Sequence, residues 1–308
     1  MIDSVRHVRY YSPKELEKDI DWSYFLFAWG IRNNCPQAAS LCDEAAKVLR
    51  RLQDEGATAR AVYTLRSAWS DGDDLVLPAN GKMPEARLCF LRQQHTCEEK
   101  PCLCLADFIA PRTATSVPLS ARYIGIFATT AGLPEDFPHD VASVYHRSEV
   151  CPCCNPQLRA LRRRLTPQHR PEQGSGEEDV YEKMMCQTIF DRLAEAAAVR
   201  VHDELLKCFE PEPVNTEVRP AVGYPSMPDQ SLIFDLDRLL PLESIGIRLT
   251  ENGMMIPHAA TCGLVFAHPA ARYFDVGYVS QEQLADYAHR RHCSVESLQR
   301  FFASRRRC

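Results

Sequence analysis

Residues 219–229 read RPAVGYPSMPD, a loop with three prolines and one glycine that also carries Arg219 and Tyr224. Proline fixes φ and removes an amide donor, so the segment is stiff and extended. Gly223 permits a turn or a close approach of the backbone to a neighbour. Such a loop either connects a helix to a strand or holds an arginine and a tyrosine rigidly against something. Two acids elsewhere stand beside apolar stretches. Asp21 stands at the front of the apolar run DIDWSYFLFAWGI (19–31). Glu195 lies off the apolar stripe of a helical segment, beside Asp191, Arg192 and Arg200, where a solvated polar face is the simplest reading.

Thiols are the other candidates. Among 14 cysteines, Cys97, Cys102 and Cys104 form one cluster and Cys151, Cys153 and Cys154 another, with His95 and His146 near them in sequence. Thiolates at short spacing can bind zinc, but neither cluster has the paired C-x-x-C of a zinc ribbon. Incidental cysteines are the simpler reading, and no metal is expected. Cys42, Cys89, Cys186 and Cys262 sit at apolar positions, where free cysteine acts as a small hydrophobe. A phosphate-binding G-x-x-x-x-G-K, a G-x-G-x-x-G, a G-x-S-x-G, an H-E-x-x-H and a D-x-H-x-x-G are all absent from the sequence.

The elements that must position these residues follow from periodicity and capping. Ser12-Pro13-Lys14-Glu15 is a capping box with proline at the first helical position. A helix is expected over 37–56, closed by Gly56, and a long one over 180–209. Strands are expected at 59–65, 75–78, 86–91 and 121–129, with a turn at Asn80-Gly81. SLIFDL, GIRLT, GLVFAH and YFDVGYVS follow the proline loop as short apolar segments, the last two reading as paired strands. Ser280 with Gln283 reads as a second capping box, and VESLQRFF as a last helix. Helices flank strand-rich tracts instead of alternating with single strands, which indicates an α+β fold.

Residues 139–178 shift to arginine, proline, cysteine and glycine and read as a surface insertion with a flexible stretch at GSGEE. The basic run RALRRRLTPQHR (159–170) has no aromatic residue for base stacking and is followed at once by acids. With a net charge of −5, no nucleic-acid or membrane-surface partner is expected. A chain with no apolar run long enough to span a bilayer and no hydrophobic signal core is expected in the cytoplasm.

The order of short motifs resembles one family. IDW, LRQQ, CLADFIAP, YIGIFATTAGL, DRLAEAAA, RPAVGYPSMPD and FAHP-AARYFDVG run in the order found in the activation (reactivation) domain of cobalamin-dependent methionine synthase. The resemblance covers nearly all of residues 1–308 except the insertion. It implies a C-shaped single α+β domain with a bent central antiparallel sheet flanked by helices. It also implies an S-adenosylmethionine site built from Asp21, Glu195, Arg219, Ala221, Tyr224, Tyr273 and Phe274. Phe274 stands where the family usually has a second tyrosine, so that hydroxyl is missing.

The activity implied is reductive methylation of cob(II)alamin to methylcobalamin, with cobalamin carried by the partner and an electron from a flavodoxin-type donor. No side chain would act as acid, base or nucleophile, and Tyr224 would sit near the methyl-transfer path. The chain is short and has its own Met1, so action in trans is expected, with the insertion supplying extra contacts. A non-catalytic docking or sensor module that binds the same ligand is the alternative.

Overall fold

The computed structural model describes residues 5–80, 85–95, 101–137, 176–208 and 217–302. A five-stranded antiparallel sheet carries the site. It is built from β1 (His7–Tyr11), β2 (Thr58–Ser67), β6 (Tyr123–Gly132), β7 (Glu217–Val218) and β10 (Ala260–Ala267), in the order β1-β2-β6-β10-β7. β2 and β6 pair along their whole lengths, from Thr58 opposite Gly132 to Ser67 opposite Tyr123. The expected strands at 75–78 and 86–91 do not join this sheet. As β4 (Asp74–Leu77) and β5 (Ala86–Cys89) they form a separate three-stranded sheet with β3 (Trp69–Asp71). β8 (Arg248–Leu249) and β9 (Met255–Ile256) make a small hairpin.

Alternation along the strands sends side chains to two cores, as the pleat requires. Ala61, Tyr63, Leu65, Phe127 and Val265 face α4 (Gly176–Lys207), against Ala198, Val201 and Leu205. Val62, Ile124, Ile126, Cys262, Leu264 and Phe266 face the other way, onto α5 (Leu232–Leu239). The N-terminal half of α4 packs Met185, Ile189 and Leu193 against Leu41, Leu49 and Leu52 of α3 (Pro36–Asp54). A fully buried leucine such as Leu193 stabilises the fold by about 1.5–3 kcal/mol through removal of apolar surface from water.

Local signals behave as chemistry dictates. In α1 (Pro13–Leu16) the Ser12 side chain accepts from the Glu15 amide, and the Glu15 carboxylate accepts from the Ser12 amide at 2.7 Å. α6 (Gln281–Arg290) starts on Ser280 as expected, but Gln283 does not close the box. Its side chain instead brackets Arg92, accepting from the Arg92 amide at 2.9 Å and donating to the Arg92 carbonyl at 3.0 Å. A tertiary partner with both a donor and an acceptor outcompetes one local amide. The last helix is α7 (Val295–Gln299).

SLIFDL, read as a short apolar segment, lies largely in the helix α5. Two further expectations change. GLVFAH and YFDVGYVS are not paired strands: β10 pairs with β6 and β7, while 273–280 is irregular and is held by side chains. The stretch GSGEE is not wholly flexible, since α4 begins at Gly176. The remainder of the expected insertion, residues 139–175, lies outside the described residues, as do Gly81 and the basic run. No helix among the described residues is long and apolar enough to cross a membrane.

Candidate functional site

The proline loop is fixed by a close approach to β10. Leu264 donates its amide to the Pro220 carbonyl at 3.0 Å, Val222 donates to the Cys262 carbonyl at 2.9 Å, and Ala221 bridges Gly263 between them. Only a residue without Cβ fits at 263. A Cβ there would stand 2.3 Å from the Pro220 carbonyl oxygen and 2.8 Å from the Ala221 Cα. The chain then turns at Gly223, whose φ of 84° favours glycine. The Tyr224 amide donates to the Ala221 carbonyl at 3.2 Å, and the Tyr224 carbonyl accepts from Met227 at 2.9 Å. Tyr224 is left 58% exposed.

A second segment zips onto this loop. The Arg219 amide donates to the Tyr273 hydroxyl at 2.9 Å. Buried Ser226 exchanges hydrogen bonds with the backbone of Phe274, and the Val276 amide donates to the Pro225 carbonyl at 3.1 Å. The LRQQ motif supports the back of this wall. Gln93 donates to the Asp275 carbonyl at 2.8 Å, and Gln94 holds Ser280. Arg92 pairs with Asp73 and Asp107.

Two helices close the space. Asp21 is the N-cap of α2 (Trp22–Ala28), its Oδ1 accepting from the Ser23 and Tyr24 amides at 2.8 and 3.3 Å. Oδ2 makes no hydrogen bond among the described residues. Glu195 stands on α4 between buried Ala194 and Ala196, and Thr129 of β6 anchors that turn by donating to the Ala194 carbonyl at 2.8 Å. Arg219 lies with its guanidinium 5.6 Å from the Phe127 ring centroid and its Nη2 3.5 Å from Glu195 Oε2. Its Nη1 is buried with no hydrogen-bond partner.

The structure therefore brings all seven expected site residues, Asp21, Glu195, Arg219, Ala221, Tyr224, Tyr273 and Phe274, around one cavity of about 720 Å³. That is within the usual range of about 300–1,000 Å³ for small-molecule sites. Glu195 is not on a solvated face. Phe274 needs no hydroxyl for its packing, because its ring sits edge-on to Phe108 at 6.3 Å. Arg219 does not present a free fork, since Nη2 already leans on Glu195.

Lining residues that sequence reasoning missed include Asp19, Tyr24, Phe127, Arg192, Ser226 and Thr261. Asp19 is spent on Arg200, whose Nε donates to it at 2.5 Å. Tyr24 and Arg192 had a readable signal in their place one turn from Asp21 and Glu195. Partial burial and the charge of Glu195 raise the Tyr224 phenol above its ordinary value. Burial, aided by the Arg219 cation, holds His202 below its own.

The cysteine clusters fare differently. Cys97, Cys151, Cys153, Cys154 and His146 lie outside the described residues. Cys104 is buried, its thiol donates to the Asp73 carbonyl, and burial pushes it up to about 12. Cys102 is half-buried and His95 exposed. No three side chains of metal-binding type come together among the described residues.

Residues 13–143 and 167–292 match the sequence profile of the vitamin B12 dependent methionine synthase activation domain. Among solved structures, the chain is similar to one described as the MetH reactivation domain bound to AdoHcy. The two are 28% identical with a TM-score of 0.74, over 97% of this chain and 89% of that one.

Proposed function

The chain belongs to the family of vitamin B12 dependent methionine synthase activation domains, and on that premise we propose that its cavity binds S-adenosylmethionine for reactivation of a methionine-synthase cobalamin. The observation that carries the reading is that Arg219, which lines the cavity, keeps a buried Nη1 with no hydrogen-bond partner. A buried donor without an acceptor costs about 1–3 kcal/mol, and a ligand carboxylate would remove that cost. The AdoHcy of the similar solved domain, which is what S-adenosylmethionine becomes on losing its methyl, supports the same ligand class.

The donor set fits an adenosylated amino acid. Arg219 would hold the carboxylate, Asp21 Oδ2 and Glu195 the ammonium and ribose hydroxyls, and the exposed ring of Tyr273 a face of the nucleoside. S-adenosylmethionine supplies an electrophilic methyl on a sulfonium, cobalamin on another domain or chain supplies the acceptor, and a flavodoxin-type donor supplies the electron for reductive methylation. Methyl transfer from a sulfonium moves no proton, so the cavity needs no acid or base. This chain's residues act by orientation. Proline on both sides of Tyr224, together with the β10 contacts, orders the loop before ligand arrives and so lowers the entropy lost on binding. Tyr224, exposed at the cavity, would face the incoming cobalamin-bearing module.

Calorimetric titration of S-adenosylmethionine into the protein, with Arg219→Ala alongside, tests the reading. Saturable binding that the substitution weakens by about 1.5–3 kcal/mol, the range for a hydrogen bond to a charged group, is expected. Absence of saturable binding to the unsubstituted protein would overturn it.

A further inference from the structure

Arg192 precedes Glu195 by three residues on α4, so the two side chains leave the same face of the helix, and both line the cavity. Its guanidinium carbon lies 5.9 Å from the centroid of the Tyr24 ring. Tyr24 is itself placed by its amide hydrogen bond to Asp21. Beyond that ring, Arg192 has no ion pair or hydrogen bond among the described residues, and its Nε is buried without an acceptor. Arg200, two turns further along the same helix, shows the ordinary fate of such a residue. Its Nε is spent on Asp19 at 2.5 Å and its Nη2 on the Glu15 carbonyl at 3.1 Å.

Arg219 is the mirror case. Its Nη2 leans on Glu195 at 3.5 Å while its Nη1 is buried and unpartnered. Two arginines that line one cavity beside Glu195 thus each keep one buried donor with no acceptor. A carboxylate has two oxygens and about four lone-pair sites, more than the one uncommitted Nη of Arg219 uses. We infer that Arg192 is a second anchor for the α-carboxylate of the bound ligand, held in place by the ring of Tyr24. This rests on the reading of the cavity as an S-adenosylmethionine site and adds a binding residue to it. The carboxylate would be bridged between Arg219 and Arg192, and Glu195 would be left to the ammonium or ribose.

The test compares two ligands on Arg192→Gln and on the unsubstituted protein. One is S-adenosylmethionine. The other is its decarboxylated form, which keeps the sulfonium, amine and adenosine and lacks only the carboxylate. Affinity for S-adenosylmethionine is expected to fall about tenfold or more, with affinity for the decarboxylated ligand unchanged. Equal losses for both ligands would show a merely structural role and overturn the inference, as would no loss for either; the S-adenosylmethionine reading would survive both results. Failure of the unsubstituted protein to bind S-adenosylmethionine would overturn that reading and this one together. Should Arg192→Gln not fold, Tyr24→Ala removes the ring from an exposed position and is expected to give the same carboxylate-dependent loss; a loss shared by both ligands would again count against the inference.

Discussion

The Pro220 carbonyl oxygen lies 2.3 Å from the point where a Cβ on residue 263 would stand, so the loop that carries Arg219 rests directly on the backbone of Gly263. The neighbouring atoms are main chain and cannot rotate away. Gly263→Ala must therefore lift the loop from β10. Overpacking of this kind costs about 1–3 kcal/mol. Thermal melting should register that loss, and calorimetry should show S-adenosylmethionine affinity falling in parallel. Unchanged affinity would mean that the loop contact does not position Arg219.

Asp21 has two jobs that substitution can separate. Asparagine caps a helix about as well as aspartate, whereas alanine at an N-cap costs about 0.5–2 kcal/mol. Asp21→Asn is expected to keep the melting temperature and lose ligand affinity, because the charge on Oδ2 is gone. Asp21→Ala is expected to lose both. If Asp21→Asn binds as tightly as the parent, the carboxylate charge is not part of the site.

Two histidines should titrate on opposite sides of the ordinary imidazole value of about 6.5. The neighbouring Asp191 carboxylate holds His258 above it, with Nδ1 3.8 Å from Asp191 Oδ1. Burial and the Arg219 cation hold His202 below it. The stabilising contribution of His258 is then fully present below the unfolded value and is lost as pH rises through its raised folded value. That of His202 is present above the unfolded value and is lost as pH falls through its lowered folded value. Proton NMR titration of the imidazole resonances reads both, and Asp191→Asn should move His258 back toward 6.5. Coincident midpoints would contradict the two environments.

Thiol labelling should follow burial. Cys104 and Cys89 are buried and each pushed up to about 12, while Cys293 is exposed. Maleimide at about pH 8, far below the value for the buried pair, should label Cys293 and spare the other two. Mass spectrometry of the peptides decides this. Early labelling of Cys104 would show a thiol open enough to act as a ligand or nucleophile.

The capping box of Ser12 and Glu15, the period of α4, the strand β2 and the alternation in β6 were all legible in the sequence. Each is an interaction between residues a few positions apart, and a short window contains both partners. The site residues were legible through the order of motifs that mark the family. Physics read from the residues alone left Glu195 on a solvated face and the proline loop as a connector.

What brought Glu195 and Arg219 together was the packing of α4 and β7 on one sheet. Their ion pair is therefore a consequence of layer geometry that no local pattern encodes. The same holds for Gln283, which spent its side chain on Arg92, and for Gly263, whose missing Cβ matters only because a distant loop crosses it. The sequence by itself determined most of the helices and strands and which family they spell. The tertiary structure alone decided which donors near Glu195 were satisfied, because hydrogen-bond satisfaction in a buried place depends on every element that surrounds it.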